Sequence, residues 1–200
     1  MIICMCDILC VTNRHLCRED FLVRIEKIAA ARPAGVIFRE KDLTKDEYKE
    51  LAVQVLKICE KYKTPCILHN FPGIAAELNG NALHLPLPVL RGLSPSDRAG
   101  FPILGASCHS VKDAAEAESL GCTYITAGHI FDTACKEGTA GRGLAFLKDV
   151  CEHVSIPVYA IGGITPENIT AVRMAGAQGA CVMSSAMTWD DVSKKLGEFG

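Results

Sequence analysis

Two hydrophobic rhythms alternate along the 200-residue chain. Continuous apolar runs fall at Asp7–Thr12, Ala34–Phe38, Pro65–Leu68, Ala82–Leu85, Pro102–Ala106, Cys122–Ala127, Pro157–Ile161 and Gly179–Met183. They do not alternate apolar with polar, so each predicts a strand covered on both faces, as in a parallel sheet flanked by helices. Between the runs, apolar positions recur three and four apart. Glu19–Ala31 carries Phe21, Leu22, Ile25, Ile28 and Ala29; Thr44–Tyr62 carries Leu51, Val55, Leu56 and Cys59. That spacing predicts amphipathic helices. Further helices are predicted over Gly73–Leu78, from Ser94 onward, and over Ser110–Leu120, Gly143–Val154, Thr165–Ala175 and Thr188–Phe199.

Punctuation residues agree with these boundaries. Thr44 stands at an N-cap, and Ser94 caps a helix with Pro95 at its first position. Gly121 and Gly176 follow predicted helices, where a C-cap glycine belongs. Eight strand–helix units in one chain predict an α/β fold, a single (β/α)8 TIM barrel over residues 1–200, at the short end of that fold's size range. A doubly wound sheet is the alternative, but no G-x-G-x-x-G follows the first strand.

Composition narrows the partners. Twenty-one Lys and Arg against 23 Asp and Glu are interspersed along the sequence, which argues against a nucleic-acid or membrane-surface binder. No apolar run reaches the roughly 20 residues of a membrane span. Met1–Asp7 has no basic n-region, so no signal peptide is expected. Eleven cysteines, odd in number and mostly inside apolar runs, read as small buried hydrophobes in a reducing cytoplasm. Cys4-Met5-Cys6 lacks zinc-site spacing. Oligomeric state is left open.

In a TIM barrel the site lies at the C-terminal ends of the strands. There the chain places Arg39-Glu40-Lys41, His69-Asn70, Ser107 with His109 and Ser110, Gly162-Gly163 and Ser184-Ser185, with His84 flanking the fourth strand. The richest stretch is Gly128–Gly143, holding His129, Thr133, Cys135, Lys136 and Arg142 among its glycines. Cationic and polar groups at one face predict a small anionic substrate. Gly162, Gly163, Ser184 and Ser185 suit a phosphate, aided by a helix N-terminus at Thr165, although a plain strand-to-helix turn uses the same residues. Arg39, Lys41 and Lys136 suit a carboxylate or second phosphate, or else Arg39 and Lys41 pair structurally with Glu40 or Asp42. His129 is the candidate general acid and base, with His109 and His84 as alternatives and Cys135 as a candidate thiolate. Asp132 is the one carboxylate close to these groups, so neither a divalent metal nor a cofactor is expected.

Phe38-Arg39-Glu40-Lys41, Leu83-His84-Leu85, Gly105–Ser110 and Ala160–Asn168 together resemble the thiamine phosphate synthase superfamily, over nearly the whole chain. Within it, Gly-His-x-Phe-x-Thr-x-Cys-Lys-x-Gly-x-x-Gly-Arg-Gly in Gly128–Gly143 is similar to the signature of the TenI branch, the thiazole tautomerases. The resemblance implies a metal-free 1,3 proton shift that aromatises a phosphorylated carboxythiazole, with His129 as the catalytic residue; Asn70, Ser107 and Thr133, delivered at the strand ends, are further candidate substrate contacts. Departures from the synthases fit this. Ile37 stands where they carry glutamine, His69-Asn70 where they carry Asn-Asp, and Leu85–Val89 holds no second metal aspartate. Two other readings stay open: a thiamine phosphate synthase, coupling hydroxymethylpyrimidine diphosphate with thiazole phosphate, and a non-catalytic barrel that senses a thiazole or thiamine metabolite.

Overall fold

The computed structural model describes residues 7–133 and 138–200. Its strands are β1 (Ile8–Val11), β2 (Gly35–Phe38), β3 (Cys66–His69), β4 (Ala82–Pro86), β5 (Ile103–Cys108), β6 (Tyr124–Gly128), β7 (Val158–Ile161) and β8 (Gly179–Val182). They form one closed barrel in chain order, the (β/α)8 architecture expected from the apolar runs. Neighbours pair in parallel, Val36 opposite Cys66, Gly105 opposite Tyr124 and Ala160 opposite Ala180. Every residue of β1, β2, β6 and β8 is buried, which is why these segments carry continuous apolar sequence.

The longer helices follow the expected positions. They are α1 (Phe21–Ala30), α2 (Lys45–Tyr62), α6 (Val111–Ser119) and α7 (Gly143–His153). Asp20 caps α1 through the N–H groups of Leu22 and Val23. Thr44 and Glu47 close a capping box on α2, and Ser110 caps α6 through Asp113 N–H. The short α3 (Pro72–Glu77) lies within a residue of its predicted span, and α5 (Pro95–Ala99) starts where Ser94 and Pro95 put it. Two more, α4 (Leu87–Arg91) and α9 (Ser184–Thr188), are a single turn or so long, too short to show a periodic stripe. The last two are shorter than expected: α8 (Ile169–Met174) begins well after Thr165, and α10 (Val192–Gly197) well after Thr188.

The chain divides into two compact units, Met1–Leu83 with Val182–Gly200, and His84–Cys181. In the first, α1 packs on α2 and Tyr48 sits between two rings, 4.7 Å from both Phe38 and Phe71. Arg24 is buried there; its guanidinium donates to the Trp189 carbonyl at 2.5 Å and pairs with Glu19 at 2.7 Å. In the second, small residues fill the strands, with Ala106, Ala127, Ala160 and Ala180 fully buried, and Leu147, Val150 and Val172 of the helices are buried as well. No helix among the described residues is long and apolar enough to cross a membrane.

Candidate functional site

In the first unit the groups beyond β1 and β2 form one network. Glu40 is 2% exposed, and a carboxylate so buried needs partners. It has them: Thr12 Oγ1–H at 2.7 Å, the Arg14 N–H at 3.1 and 3.0 Å, and Arg14 Nη1 at 3.3 Å. Thr12 Oγ1 in turn accepts the Arg39 N–H at 2.9 Å. The Arg14 fork also grips Asp42 at 2.6 and 2.5 Å, and His15 Nε2 stands 2.9 Å from the same carboxylate. Hydrogen bonds from Arg14 and His15 hold the Asp42 carboxyl well below the usual range, and Asp42 with Glu40 raises Arg14.

Glu40 and Asp42, which the sequence offers as partners for Arg39 and Lys41, both engage Arg14, a residue the strand-end reading passed over. Its signal was the same one that singled out Arg39: a cation just past an apolar run. Arg39 is half-buried and Lys41 exposed. His69 lies inside β3 and is buried; its N–H donates to Tyr48 Oη at 2.8 Å, while the Tyr48 O–H donates to the Phe38 carbonyl at 2.8 Å. Burial pushes the Tyr48 phenol up. Asn70 follows in the left-handed region, at φ 69°. Ser184 and Ser185 do not sit in a loop; they open α9, and the Thr188 hydroxyl donates to the Ser184 carbonyl at 2.9 Å.

In the second unit the chain after β6 is zipped at its neck. Ile130 N–H donates to the Ile161 carbonyl at 2.9 Å and Phe131 N–H to Gly162 at 3.0 Å. From the far side, Arg142 N–H donates to the His129 carbonyl at 3.0 Å and Gly143 N–H to Ile130 at 2.9 Å. Asp132 takes the Gly141 N–H at 2.7 Å, so this carboxylate is a loop brace. The Gly128–His129 peptide is cis. The half-buried His129 places Nε2 3.1 Å from the Thr139 carbonyl. Thr133 is half-buried; Lys136 and Cys135 lie outside the described residues.

Gly162 and Gly163 have φ of 100° and 66°, backbone that favours glycine. A Cβ on Gly162 would meet His129 Cβ at 2.3 Å, so the glycine is also needed for His129 to lie against β7. The chain turns helically from Thr165 although α8 proper starts at Ile169: Ile169 N–H donates to the Thr165 carbonyl at 3.1 Å, Asn168 Oδ1 accepts the Thr165 N–H at 2.9 Å, and Asn168 Nδ2 ties back to the Gly163 carbonyl at 2.9 Å.

His109 is exposed, and its Nδ1 stands 3.0 Å from the Gly128 carbonyl. Ser107 and His84 are not loop residues. Both lie within strands, and His84, 3% exposed, reaches Ser107 Oγ at 2.9 Å and Tyr124 Oη at 2.9 Å. Burial pushes the Cys108 and Cys122 thiols up to about 12, which makes them packing groups rather than nucleophiles.

Similar proteins converge on one family. A family model described as thiamine monophosphate synthase (TMP-TENI) matches residues 8–186. Thiamine-phosphate synthase 2 of Streptococcus pneumoniae serotype 4 is 35% identical over 195 residues, covering 94% of this chain and 91% of the relative. Thiamine-phosphate synthase of Clostridium acetobutylicum is 34% identical over 191 residues, covering 92% and 89%. Among solved structures, thiamine phosphate pyrophosphorylase from Pyrococcus furiosus superposes with a TM-score of 0.82 at 25% identity, covering 98% of this chain and 94% of that one. These relatives carry the names of thiamine-phosphate synthases and a pyrophosphorylase, which favours the synthase reading over the tautomerase branch.

Proposed function

We propose that this chain, which belongs to the thiamine monophosphate synthase (TMP-TENI) family, acts on a phosphorylated carboxythiazole and aromatises it by moving one proton, with His129 as the shuttle. The observation that carries this reading is the setting of His129. Its main chain is clamped from both sides of the loop neck, and its Nε2 faces the Thr139 carbonyl, an atom that only accepts. In the neutral ring Nε2 therefore holds the hydrogen and Nδ1 the lone pair. Nδ1 takes the proton from the ring carbon, becomes N–H, and returns that proton to the exocyclic carbon. No atom is gained or lost, and aromatisation drives the shift forward. Positioning and proton transfer carry the rate. Proposed contacts are Gly162, Gly163, Ser184 and Ser185 for the phosphate, and Arg39, Lys41 and Lys136 for the carboxylate. Asn70, Ser107 and Thr133 complete the proposed set.

The names of the relatives support a second reading, coupling of a pyrimidine diphosphate to a thiazole phosphate, a group transfer. In the synthases the resemblance implies magnesium. A hard divalent cation asks for carboxylate oxygens. At the end of β3 this chain offers His69 and Asn70, past β4 it offers Leu87-Pro88-Val89, and among the described residues no three His, Cys, Asp or Glu side chains are grouped so as to hold a metal ion. The donor set does not fit, and we draw no step through a metal.

Mixing metal-stripped protein with the non-aromatic tautomer and following ultraviolet absorbance separates the readings. A fast change that His129→Gln abolishes, while the variant still binds product, is expected. No change over the uncatalysed rate, together with magnesium-dependent coupling, would replace the first reading by the second.

A further inference from the structure

Beyond the histidine of the loop, the second unit holds another imidazole whose surroundings dictate its hydrogens. His84 lies in β4, buried between Tyr124 and Ser107. Tyr124 is itself only 6% exposed, its phenol pushed well above the ordinary value by burial. It stands opposite Gly105 across the β5–β6 pairing, and a Cβ on Gly105 would meet the phenol ring at 2.2 Å. The missing side chain therefore makes the space that the phenol fills. Gly105 and Ser107 are two apart on one strand and share a face, so Tyr124, His84 and Ser107 form one file running toward the C-terminal end of β5.

The directions of the hydrogen bonds in this file follow from satisfying each group. Among the described residues the Tyr124 hydroxyl bonds only to His84 Nδ1, at 2.9 Å. A buried phenol with a single partner is satisfied best by donating, since accepting would leave its O–H without a partner. Donation by Tyr124 makes Nδ1 the acceptor nitrogen, so in the neutral ring Nε2 carries the hydrogen. Nε2–H then donates to Ser107 Oγ at 2.9 Å. With a lone pair of Oγ so occupied, the Ser107 hydrogen cannot point back at His84 and is turned outward.

We propose that His84 and Tyr124 are positioning residues that hold the half-buried Ser107 hydroxyl as a donor toward an anionic group of the substrate. This rests on the reading that a phosphorylated thiazole binds at the strand ends; the tautomer assignment beneath it does not. Were the file reversed, with Ser107 donating to Nε2 and Nδ1–H to Tyr124, Ser107 would present only lone pairs, which repel an anion.

Two measurements test the proposal. In uniformly ¹⁵N-labelled protein without ligand, His84, assigned by its loss in His84→Gln, is expected to show a protonated Nε2 and an unprotonated, downfield Nδ1. The opposite tautomer overturns the proposal whatever the enzyme's reaction proves to be. In the second, Tyr124→Phe removes the donor, and Ser107 is then free to turn its hydrogen onto His84. A loss of about 10- to 100-fold in kcat/KM is expected, the weight of one hydrogen bond to a charged group. In a Ser107→Ala background the same change is expected to cost nothing further. Additive losses would show that Tyr124 acts through the fold alone and overturn the proposal. If no family activity is detected at all, the functional reading fails while the tautomer result stands by itself.

Discussion

Replacing Gly162 by alanine tests the placement of His129 with a single carbon atom. Two effects are separable. An L side chain at φ 100° strains the backbone by about 1–3 kcal/mol. The new Cβ would also stand 2.3 Å from His129 Cβ and 2.9 Å from its Cα, against an ordinary contact of 3.4 Å or more. His129 must then retreat by the difference, 3.4 less 2.3, or 1.1 Å. A misplacement of about 1 Å costs on the order of 100-fold in rate. Gly121→Ala supplies the control. Its φ is 92°, but nothing lies within 4 Å of the added carbon. Both variants are expected to lose about 1–3 kcal/mol in urea unfolding with unchanged slope, and only Gly162→Ala to lose about 100-fold in turnover of the thiazole tautomer. Full turnover in Gly162→Ala would refute the claim that His129, lying against this glycine, does the chemistry. An equal loss in Gly121→Ala would assign the effect to general destabilisation.

Two further outcomes probe the first unit. Tyr48→Phe leaves the His69 N–H and the Phe38 carbonyl without the hydroxyl that bridges them at 2.8 Å each, so a loss of about 2–4 kcal/mol is expected by urea denaturation; a loss below about 0.5 kcal/mol would show the bridge to be dispensable. Because Asp42 is held below its unfolded value of about 3.9, its contribution is present above that pH and lost as pH falls toward the folded value. Wild type and Asp42→Asn are therefore expected to differ in urea midpoint at pH 7 and to converge below pH ~4, with the gap narrowing in high salt because Asp42 is half exposed. Divergence on acidification would contradict the assignment.

Much of the architecture was legible because the signals were local. Thr44 reads as a cap from its neighbours alone, and the structure completes the box with Glu47. Each strand declared itself by unbroken apolar sequence, since both of its faces are covered. Errors came where a few residues had to decide an element. α9 is too short for a stripe. The candidate site divides in the same way. The loop from Gly128 to Gly143 stood out by composition, and so did Arg39 and Lys41. Arg14, like Arg39 a cation just past an apolar run, gains its importance only from carboxylates 26 and 28 residues away.

By itself, then, the sequence determined the eight strand–helix repeats, the cap positions and the cluster of His129 with its glycines, all properties that one strand or one turn expresses through its own periodicity. The tertiary structure alone decided which groups meet. Glu40 is bound by Thr12 and Arg14, Gly162 yields its space to His129, and Gly105 yields its own to Tyr124 beneath His84. Partner choice depends on burial and on strand register. A buried polar group takes whichever donor or acceptor the packing brings within about 3 Å, and periodicity along one segment carries no information about a neighbour from a distant one.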